Sequence, residues 1–311
     1  MAKKRIHVVA AVIERNKKIL IAKRPKHLHQ GGLWEFPGGK VEANELPLQA
    51  LKRELFEELD IHISSAQPLI KTDHDYSDKS ICLDVWRVSN FSGIAVGKEE
   101  QDVLWVSAND LNKFDFPAAN KPIVTAAQLP QKYLITPDPY SMNEQQFLTQ
   151  LENAFKSGIT LVQFRSKKLS LDKLSQLYKK AQKIASHHNA TLLLNCSVDE
   201  ASTIGVKDVH LSSRNLLSLN TIPEHLFTAA SCHNQHEIEK ACELGVNFIV
   251  IAPVNKTSTH PGTQPLGWEE FRSLCQTATV PAFALGGMQI NDIANAIENG
   301  GQGIAAISAL W

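Results

Sequence analysis

Residues 38 to 61 read GGKVEANELPLQALKRELFEELDI, and this stretch decides the fold of the first part of the chain. The pattern predicts a helix that carries Glu54, Glu57 and Glu58 on one side. Carboxylates three and four residues apart are neighbours on a helix, and each like-charge pair costs about 0.2–0.5 kcal/mol. A bound cation would offset that repulsion, and a solvated acidic helix face is the alternative.

The apolar residues of the same helix predict that it packs on a sheet. Leu48, Leu51, Leu55 and Leu59 recur at helical spacing, and Pro47 suits the first turn. Magnesium prefers oxygen ligands, usually one or two carboxylates together with substrate phosphates. Two of the glutamates could therefore hold such an ion while a third takes a proton from water.

The wider spacing of charged residues resembles the Nudix box. The residues that carry the resemblance are Gly39, Glu45, Arg53, Glu54, Leu55, Glu57 and Glu58. The chain departs from the family pattern at Asp60, where the family has Gly. A left-handed residue is expected there, and Asp tolerates that conformation at a cost of about 1–2 kcal/mol. The resemblance implies an α+β Nudix fold and a hydrolase whose chemistry survives the Asp60 departure.

Three further blocks resemble the MutT type of this family, over most of residues 4–125. They are IAKRPKHLHQGGLWEFPGGK (21–40), GKEEQ (97–101) and FPAANKPI (116–123). The resemblance implies magnesium-dependent hydrolysis of 8-oxo-dGTP to 8-oxo-dGMP and pyrophosphate, with Mn²⁺ as a substitute ion. This is the activity of 8-oxo-dGTP diphosphatases, the mutator proteins that serve DNA repair and DNA replication.

The same resemblance assigns site residues. The metal ligands would be the carbonyl of Gly38 and the carboxylates of Glu54, Glu57, Glu58 and Glu99, with Glu54 as the general base and Glu54, Glu57 and Glu58 as the catalytic set. The substrate-binding residues would be Arg24, His29, Glu35, Phe36, Pro37, Gly38 and Asn120. An Asn amide offers a donor and an acceptor and can read a base edge. Taken singly, Asn120 is more often a loop cap and Phe36 a core residue; the role of Lys79 stays open.

Composition and charge bound the other functions. Basic and acidic side chains number 32 each, so no net charge draws the chain to nucleic acid or membrane. No apolar run has the length of a membrane span, and no signal-peptide pattern follows the basic residues 3–5. Five cysteines without Cys-x-x-Cys spacing favour reduced thiols. We therefore expect a cytoplasmic protein without membrane or direct nucleic-acid binding, and the MutT resemblance implies that its partner is a nucleoside triphosphate.

The chain is expected to divide into two domains, residues 1–128 and 132–311, with 126–132 as a short linker. In the first, apolar runs predict strands at Ile6–Ile13, Ile19–Ala22, Ile81–Val88 and Val103–Val106. In the second, eight strand-like runs alternate with helix-like stretches, which indicates a (βα)8 TIM barrel. No helix-like stretch follows the last strand, so the barrel lacks its last helix. The exposed strand needs cover from the first domain, from a second copy of the chain in a homo-oligomer, or from Trp311.

Polar residues gather at the predicted carboxyl ends of the barrel strands, where TIM-barrel sites lie. They are Gln163, Arg165, Lys167, Asn195, His233, Gly287 and Ser308. A buried His such as His210 is more often structural. The set resembles thiamine-phosphate synthase and its TenI-type tautomerase relatives over essentially all of 132–311, and implies a phosphate-containing ligand.

Three departures from that resemblance weigh against synthase activity. Cys196 stands where the family has an Asp that binds magnesium, and Arg214 or Asn215 replaces the second metal carboxylate. His260 stands where a pyrophosphate-binding Lys is expected. The barrel is therefore expected to have altered or lost synthase activity, leaving a tautomerase-like proton transfer at His233, a phosphate-binding role, or a ligand-sensing or scaffold module. An alternative for the whole chain is a thiamine-pathway enzyme whose Nudix half hydrolyses thiamine or pyrimidine diphosphates.

Overall fold

The computed structural model describes residues 4–27, 30–76, 79–98, 101–257, 262 and 264–311. The chain forms two compact units, Met1–Gln128 and Leu129–Trp311, which are described separately below. Within the described residues, no helix is long and apolar enough to cross a membrane.

The first unit is a mixed sheet with helices. Its strands are β1 (Lys4–Arg15), β2 (Lys18–Lys23), β3 (Trp34–Glu35), β4 (Gly38–Lys40), β5 (His62–Asp75), β6 (Lys79–Ser92) and β7 (Val103–Ser107). Its helices are α1 (Pro47–Leu59) and α2 (Lys121–Gln128), with short 3₁₀ helices at Ala108–Lys113 and Ala118–Asn120. The strand order is β3-β2-β1-β6-β5, with β4 paired to β1 and β7 paired to β2. β1 and β6 run parallel and the other pairs antiparallel. The predicted α+β fold is confirmed.

The central strand β1 is buried on both faces, which explains its unbroken apolar run. Val9, Ala11 and Ile13 pack in one apolar cluster with Leu51, Leu55 and Leu59 of α1. The alternate residues Ala10 and Val12 pack in a second cluster with Ile123 of α2. The leucine stripe of α1 therefore faces the sheet, as its spacing predicts, and the glutamates point elsewhere.

Both ends of α1 follow from local chemistry. Pro47 is the first helical residue, where its missing N–H costs no hydrogen bond. Asp60 closes the helix in the left-handed conformation, with φ 58° and ψ 36°. Its carboxylate also pairs with Lys98 Nζ at 2.9 Å. The expected left-handed Asp is confirmed.

Two sequence expectations for this unit were incomplete. The 14-residue strand β5 was not predicted, because register shifts at Ile63/Ser65, Ser65/Gln67 and Pro68/Ile70 break the alternation of apolar side chains. The predicted linker was wrong in its first part: residues 126–128 belong to α2, and only 129–131 lie between α2 and β8.

The second unit is a closed parallel barrel. Its strands are β8 (Lys132–Ile135), β9 (Leu161–Phe164), β10 (Thr191–Asn195), β11 (Asp208–Leu211), β12 (Phe227–Cys232), β13 (Phe248–Ile251), β14 (Ala282–Leu285) and β15 (Gly303–Ala306). Its helices are α3 (Glu144–Lys156), α4 (Leu171–His187), α5 (Val198–Ile204), α6 (Ser213–Leu217), α7 (Gln235–Glu243), α8 (Gly267–Thr277) and α9 (Ile293–Glu298), with 3₁₀ helices at Pro139–Ser141 and Ile290–Asp292. The predicted eight-stranded barrel is confirmed.

Side chains fill the barrel, and no helix follows β15 in residues 307–311. Tyr133, Phe248 and Phe283 form part of the interior cluster, with ring centroids 5.3–5.6 Å apart. At the end of the chain, the Trp311 ring lies 5.3 Å from that of Phe147, and its Nε1 donates to Gln150 Oε1 at 2.8 Å. Trp311 therefore packs on α3.

Candidate active site

The site in the first unit begins where two glycines bring β4 against α1. The Gly38 N–H donates to Glu58 Oε2 at 3.0 Å. A Cβ on Gly38 would lie 2.1 Å from the Val9 carbonyl oxygen, and a Cβ on Gly39 would lie 2.1 Å from the Glu54 carboxyl carbon. A larger residue at Gly38 would therefore push β4 away from the backbone of β1, and a larger residue at Gly39 would displace the carboxylate of Glu54.

Arg53 holds the acidic face of α1 in place. Its Nη1 donates to Glu54 Oε1 at 2.8 Å and to Glu57 Oε2 at 3.2 Å. Its Nε and Nη2 donate to the two carboxylate oxygens of Glu45, each at 2.9 Å, and Nη2 also donates to the Lys40 carbonyl at 3.0 Å. One guanidinium thus joins the helix to the preceding loop and compensates part of the like-charge repulsion.

Glu58 is the carboxylate least compensated by its surroundings. Burial raises the pKa of Glu58 to about 8, against the hydrogen bond from Gly38, and the charges of Glu35 and Glu54 raise it further. Burial also raises the pKa of Glu35, which forms an ion pair with Arg24. Glu57, in contrast, is the exposed member, with 57% of its side chain accessible. The buried carboxylates therefore favour either a proton or a cation beside them.

A cleft of about 510 Å³ opens from these carboxylates. It contains most of the residues that the sequence assigns to the site, namely Arg24, Glu35, Phe36, Gly38, Glu54, Glu57, Glu58 and Asn120. Pro37 lies outside the cleft; it is buried, and its carbonyl accepts the Ala11 N–H at 2.8 Å. His29 and Glu99 lie outside the described residues.

Phe36 lines the cleft, and a second aromatic ring packs behind it. Phe36 is 3% exposed and stacks on Phe116, with centroids 5.3 Å apart and an interplanar angle of 19°. Asn120 ends the 3₁₀ helix Ala118–Asn120 and lines the cleft. Its side-chain amide has no hydrogen-bond partner among the residues the structure describes. Phe36 is thus both a core residue and a cleft residue, and Asn120 is not a loop cap.

The donor set fits a divalent cation of the magnesium type. Carboxylate and carbonyl oxygens are hard ligands, and Mg²⁺ and Mn²⁺ prefer them. Across the described ranges, no three His, Cys, Asp or Glu side chains already form a metal-binding group. Arg53 engages Oε1 of Glu54 and Oε2 of Glu57, so the second oxygen of each carboxylate is left to bind a cation.

In the second unit, most of the polar residues predicted from the sequence lie at or just beyond the carboxyl ends of the strands, whereas Gln163 lies within β9 and is 3% exposed. Asp138 organises one side of this mouth: its carboxylate accepts the Lys167 N–H at 2.9 Å and the Ser166 hydroxyl at 3.0 Å. Burial lowers the pKa of Arg165, and the negative charge of Asp138 opposes that decrease. Gly286 and Gly287 follow β14 with φ of 106° and 63°, a conformation that exposes backbone N–H groups.

His233 and Asn195 are held by specific contacts at the same mouth. His233 Nδ1 lies 2.9 Å from Glu237 Oε2, and the same oxygen accepts the His233 backbone N–H at 2.7 Å. Asn195 Nδ2 donates to the His210 carbonyl at 3.3 Å. Ser308 lies just beyond β15. The His233 ring is thus oriented by a carboxylate, as in many acid–base sites.

The positions of the missing metal carboxylates carry no compensating acid. Cys196 is 5% exposed, and burial, together with the charge of Glu200, raises the pKa of its thiol to about 12. Asn215 lies on α6, where its N–H donates to the Ser212 hydroxyl at 3.2 Å. His260 lies outside the described residues. His210 is fully buried between Tyr133 and Ser231.

Sequence reasoning missed roles for Arg53 and Glu45, although both belong to the spacing that marked the motif. Their signal was present: a basic residue directly before Glu54 and an acid eight residues earlier. Contact between Arg53 and Glu45 depends on how the loop before α1 folds back, which spacing alone does not give.

Comparison with known proteins identifies both units. The family described as thiamine monophosphate synthase matches residues 132–310, and the NUDIX domain family matches residues 8–126. The chain is 42% identical over 123 residues to a CTP pyrophosphohydrolase of Escherichia coli, covering 40% of this chain and 91% of that one. It is 37% identical over 122 residues to an 8-oxo-dGTP diphosphatase of the same organism, covering 39% and 95%.

The barrel has its own relatives. It is 32% identical over 183 residues to a putative thiamine-phosphate synthase 2 of Aquifex aeolicus, covering 58% of this chain and 97% of that one. The resemblances inferred from the sequence are confirmed at the level of family. The chain belongs to the Nudix family through residues 8–126 and to the thiamine monophosphate synthase family through residues 132–310.

Proposed function

We propose that the Nudix unit is a magnesium-dependent pyrophosphohydrolase of oxidised purine nucleotides, which converts 8-oxo-dGTP to 8-oxo-dGMP and pyrophosphate. The observation that carries the proposal is the composition of the cleft. One end holds the partly buried carboxylates Glu54 and Glu58 beside Gly38 and Gly39, and the wall holds Phe36 with Asn120. A metal–phosphate end and a base-binding end thus share one cavity.

The carboxylates of Glu54, Glu57, Glu58 and Glu99 and the Gly38 carbonyl would hold the ion. When bound, magnesium would neutralise charge on the phosphate oxygens. Glu54 would take the proton of the attacking water as general base. Arg53, which donates to Glu54 at 2.8 Å, would orient that carboxylate. Mn²⁺ would substitute because it accepts the same oxygen ligands.

The base would stack beside Phe36 while the amide of Asn120 reads its edge. An amide presents a donor and an acceptor, and that of Asn120 is uncommitted within the described part of the chain. Arg24, already paired with Glu35, would carry positive charge to the same nucleotide. Such a site would remove oxidised guanine nucleotides before DNA replication uses them.

A pyrimidine nucleoside triphosphate is the second candidate substrate. It is favoured by the 42% identity to a CTP pyrophosphohydrolase. A substrate panel with the full chain and Mg²⁺ separates the candidates: 8-oxo-dGTP, dGTP, CTP, thiamine diphosphate and hydroxymethylpyrimidine diphosphate. We expect the highest kcat/KM with 8-oxo-dGTP. A preference for CTP would show that the substrate is a pyrimidine nucleotide and not a purine nucleotide. A preference for thiamine diphosphate or hydroxymethylpyrimidine diphosphate would favour a thiamine-pathway enzyme.

For the barrel we propose a ligand-binding role with altered or lost synthase activity. Cys196, Arg214 and Asn215 supply no carboxylate for a magnesium pyrophosphate leaving group. A tautomerase-like proton transfer at His233 is the catalytic alternative, favoured by the carboxylate of Glu237 that orients its ring. Adding thiazole phosphate to the assay with hydroxymethylpyrimidine diphosphate tests the synthase directly: no thiamine phosphate should form.

A further inference from the structure

The last turn of α1 carries charge of the wrong sign for its end of the helix. Glu57 and Glu58 lie in this turn, and α1, which is described throughout, has no basic residue there. The carboxyl end of a helix is the negative end of its dipole and has carbonyl groups without intrahelical partners. The turn that carries two carboxylates of the cleft should therefore fray unless donors from outside the helix hold it.

The segment that precedes β7 supplies such donors. The Val96 N–H donates to the Leu59 carbonyl at 3.2 Å, and the Lys98 N–H donates to the Glu58 carbonyl at 2.9 Å. The Lys98 ammonium adds a third bond, to the Phe56 carbonyl at 3.2 Å. Three carbonyl groups of the last turn thus receive a donor from one short segment.

Two further contacts hold the Lys98 side chain at the end of the helix. Its Nζ lies 2.9 Å from Asp60 Oδ1 and 4.8 Å from the centroid of the Phe56 ring. That ring stacks in turn on His62, with centroids 4.7 Å apart. Asp60 stands where the Nudix pattern has Gly, so this chain gives Lys98 a partner that glycine could not provide. The cation also has the sign that the carboxyl end of a helix favours.

We propose that Lys98 is a positioning residue for the metal site, because it holds the last turn of α1 so that the carboxylates of Glu57 and Glu58 face the cleft. Lys98 lines the same cleft, but as a cation it does not bind the metal ion itself. This inference rests on the proposed function, since it requires that the cleft takes a divalent cation.

Positioning and simple charge have effects of opposite sign on metal binding. The ammonium of Lys98 repels a cation in the cleft, so Coulomb's law alone predicts that removal of this charge strengthens metal binding. Loss of the bonds that hold the last turn predicts weaker binding, because the carboxylates of Glu57 and Glu58 would no longer be held in place. The direction of the change therefore separates the two roles.

Binding of Mn²⁺ to the full-length protein without nucleotide tests the proposal, with the free ion measured by electron paramagnetic resonance. Lys98→Met keeps most of the aliphatic stem and removes the donors and the charge. We expect it to raise the dissociation constant of Mn²⁺ by about tenfold, as the loss of a group that orients metal ligands does. Lys98→Arg should retain most of the affinity. Lys52→Met is the matched control, because Lys52 is an exposed lysine of the same helix, and it should not weaken binding.

Amide hydrogen exchange of the same proteins shows where the structure loosens. In Lys98→Met, the amides of Asp60 and Ile61, which close the end of α1, should exchange faster, whereas that of the buried Val12 in β1 should not change. Uniformly faster exchange would overturn the proposal, because Lys98 would then contribute only general stability.

The binding data can overturn the proposal in two ways. Unchanged or tighter Mn²⁺ binding in Lys98→Met would leave Lys98 with an effect of charge alone. An equal loss in Lys98→Arg and Lys98→Met would show that a cation with donors is not what the turn requires. Failure of the proposed function looks different: the wild type and Glu58→Gln would then bind Mn²⁺ equally, and the inference would be contradicted together with the metal site.

Discussion

The Nudix cleft and the barrel interior both gather ionisable side chains, but they handle charge in opposite ways. In the cleft, Glu58 and Glu54 are crowded with Glu35, and the pKa of Glu58 rises to about 8. In the barrel, His210 is neutral with a pKa of about 3, and Cys196 is neutral with a pKa of about 12. Near pH 7 the cleft lies close to a protonation change, whereas these two barrel groups do not.

The difference teaches how each region relates to a ligand. Crowded carboxylates destabilise the empty protein, and a cation that binds them returns that free energy. A satisfied network such as Tyr133–His210–Ser231 stabilises the barrel without a ligand and fixes hydrogen-bond directions instead. The first region is therefore suited to bind metal and phosphate, and the second to recognise a ligand by shape and hydrogen bonds. The following variants test this contrast.

The largest effect is expected for Glu54→Gln and Glu58→Gln. Each should lower kcat/KM for 8-oxo-dGTP by at least about 100-fold while the fold is kept, because general-base catalysis alone contributes about 10²–10⁴-fold. Steady-state kinetics with Mg²⁺ measure it, with Glu42→Gln as the exposed control. A variant that retained more than about a tenth of the rate would show that its carboxylate is not essential.

The next largest effect is on stability and its pH dependence. In the metal-free protein, burial raises the pKa of Glu58 to about 8, whereas in the unfolded chain this carboxyl loses its proton near its ordinary pKa of 4.5. The unfolded state holds fewer protons in that window, so the free energy of unfolding falls as pH rises through it. Glu58→Gln should remove this dependence and stabilise the metal-free chain at pH 8 by a few kcal/mol, on the order of the shift.

Thermal unfolding with and without Mg²⁺ tests this prediction. Mg²⁺ should raise the unfolding temperature of the wild type and not that of Glu58→Gln. Glu57→Gln is the matched control for the pH effect, because 57% of the Glu57 side chain is exposed. Equal pH profiles for wild type and Glu58→Gln would contradict the assignment of the buried charge.

In the barrel, Cys196→Asp should lower the free energy of unfolding, which is the opposite of the effect expected for Glu58→Gln. Its surroundings disfavour an anion, as the raised pKa of Cys196 shows, and Glu200 adds repulsion. We expect a loss of about 2 kcal/mol or more, since a buried polar group without a partner is costly. Cys196→Ser is the size-matched control. If Mg²⁺ restored the stability of Cys196→Asp, the contrast between cleft and barrel would be contradicted, because the barrel would still be able to complete a metal site.

A smaller effect is expected on base selectivity. Asn120→Ala should reduce the preference for 8-oxo-dGTP over dGTP by about tenfold, or roughly 1.4 kcal/mol, and slow dGTP turnover less. The ratio of the two kcat/KM values measures it. Asn112→Ala, an exposed Asn outside the cleft, should leave the ratio unchanged. Equal losses on both nucleotides would make Asn120 structural.

The smallest effect concerns the end of α1. Asp60→Gly should change the free energy of unfolding by less than about 1 kcal/mol, because relief of the left-handed strain offsets the entropy of glycine and the exposed pair with Lys98 contributes little. Asp60→Ala should lose about 1–2 kcal/mol, since Ala keeps that strain without the local hydrogen bonding of Asp. Denaturant unfolding of the three proteins compares them. A large loss of stability in Asp60→Gly would show that the ion pair between Asp60 and Lys98 contributes more than expected.

Much of the fold could be read from periodicity. The alternation of strands and helices after residue 132 predicts the closed barrel, and the leucines of α1 predict its buried face. The strand β5 was not predicted, because three register shifts interrupt the alternation of its apolar and polar side chains. The last three residues of α2 were taken as linker because a helix of eight residues, with Pro122 in its first turn, carries little periodic signal.

What the sequence alone determined is the set of residues with the right chemistry at the right spacing. The positions of Glu54, Glu57 and Glu58 follow from helical geometry, which is local and needs no tertiary contact. The families of both units follow from long motifs of the same local kind. Spacing could also show that Cys196 stands in place of a carboxylate.

Only the tertiary structure decided which of these groups carry uncompensated charge. Glu54 and Glu58 are four residues apart on one helix, yet their surroundings differ. Glu54 accepts a hydrogen bond from Arg53, whereas Glu58 is close to the charge of Glu35, which lies 23 residues earlier in the chain. The barrel interior likewise joins strands far apart in the chain, since the side chains of Tyr133 and His210 are 2.9 Å apart although the residues are 77 positions apart. The reason is physical: burial and Coulomb interactions depend on distance in space, which local periodicity does not specify.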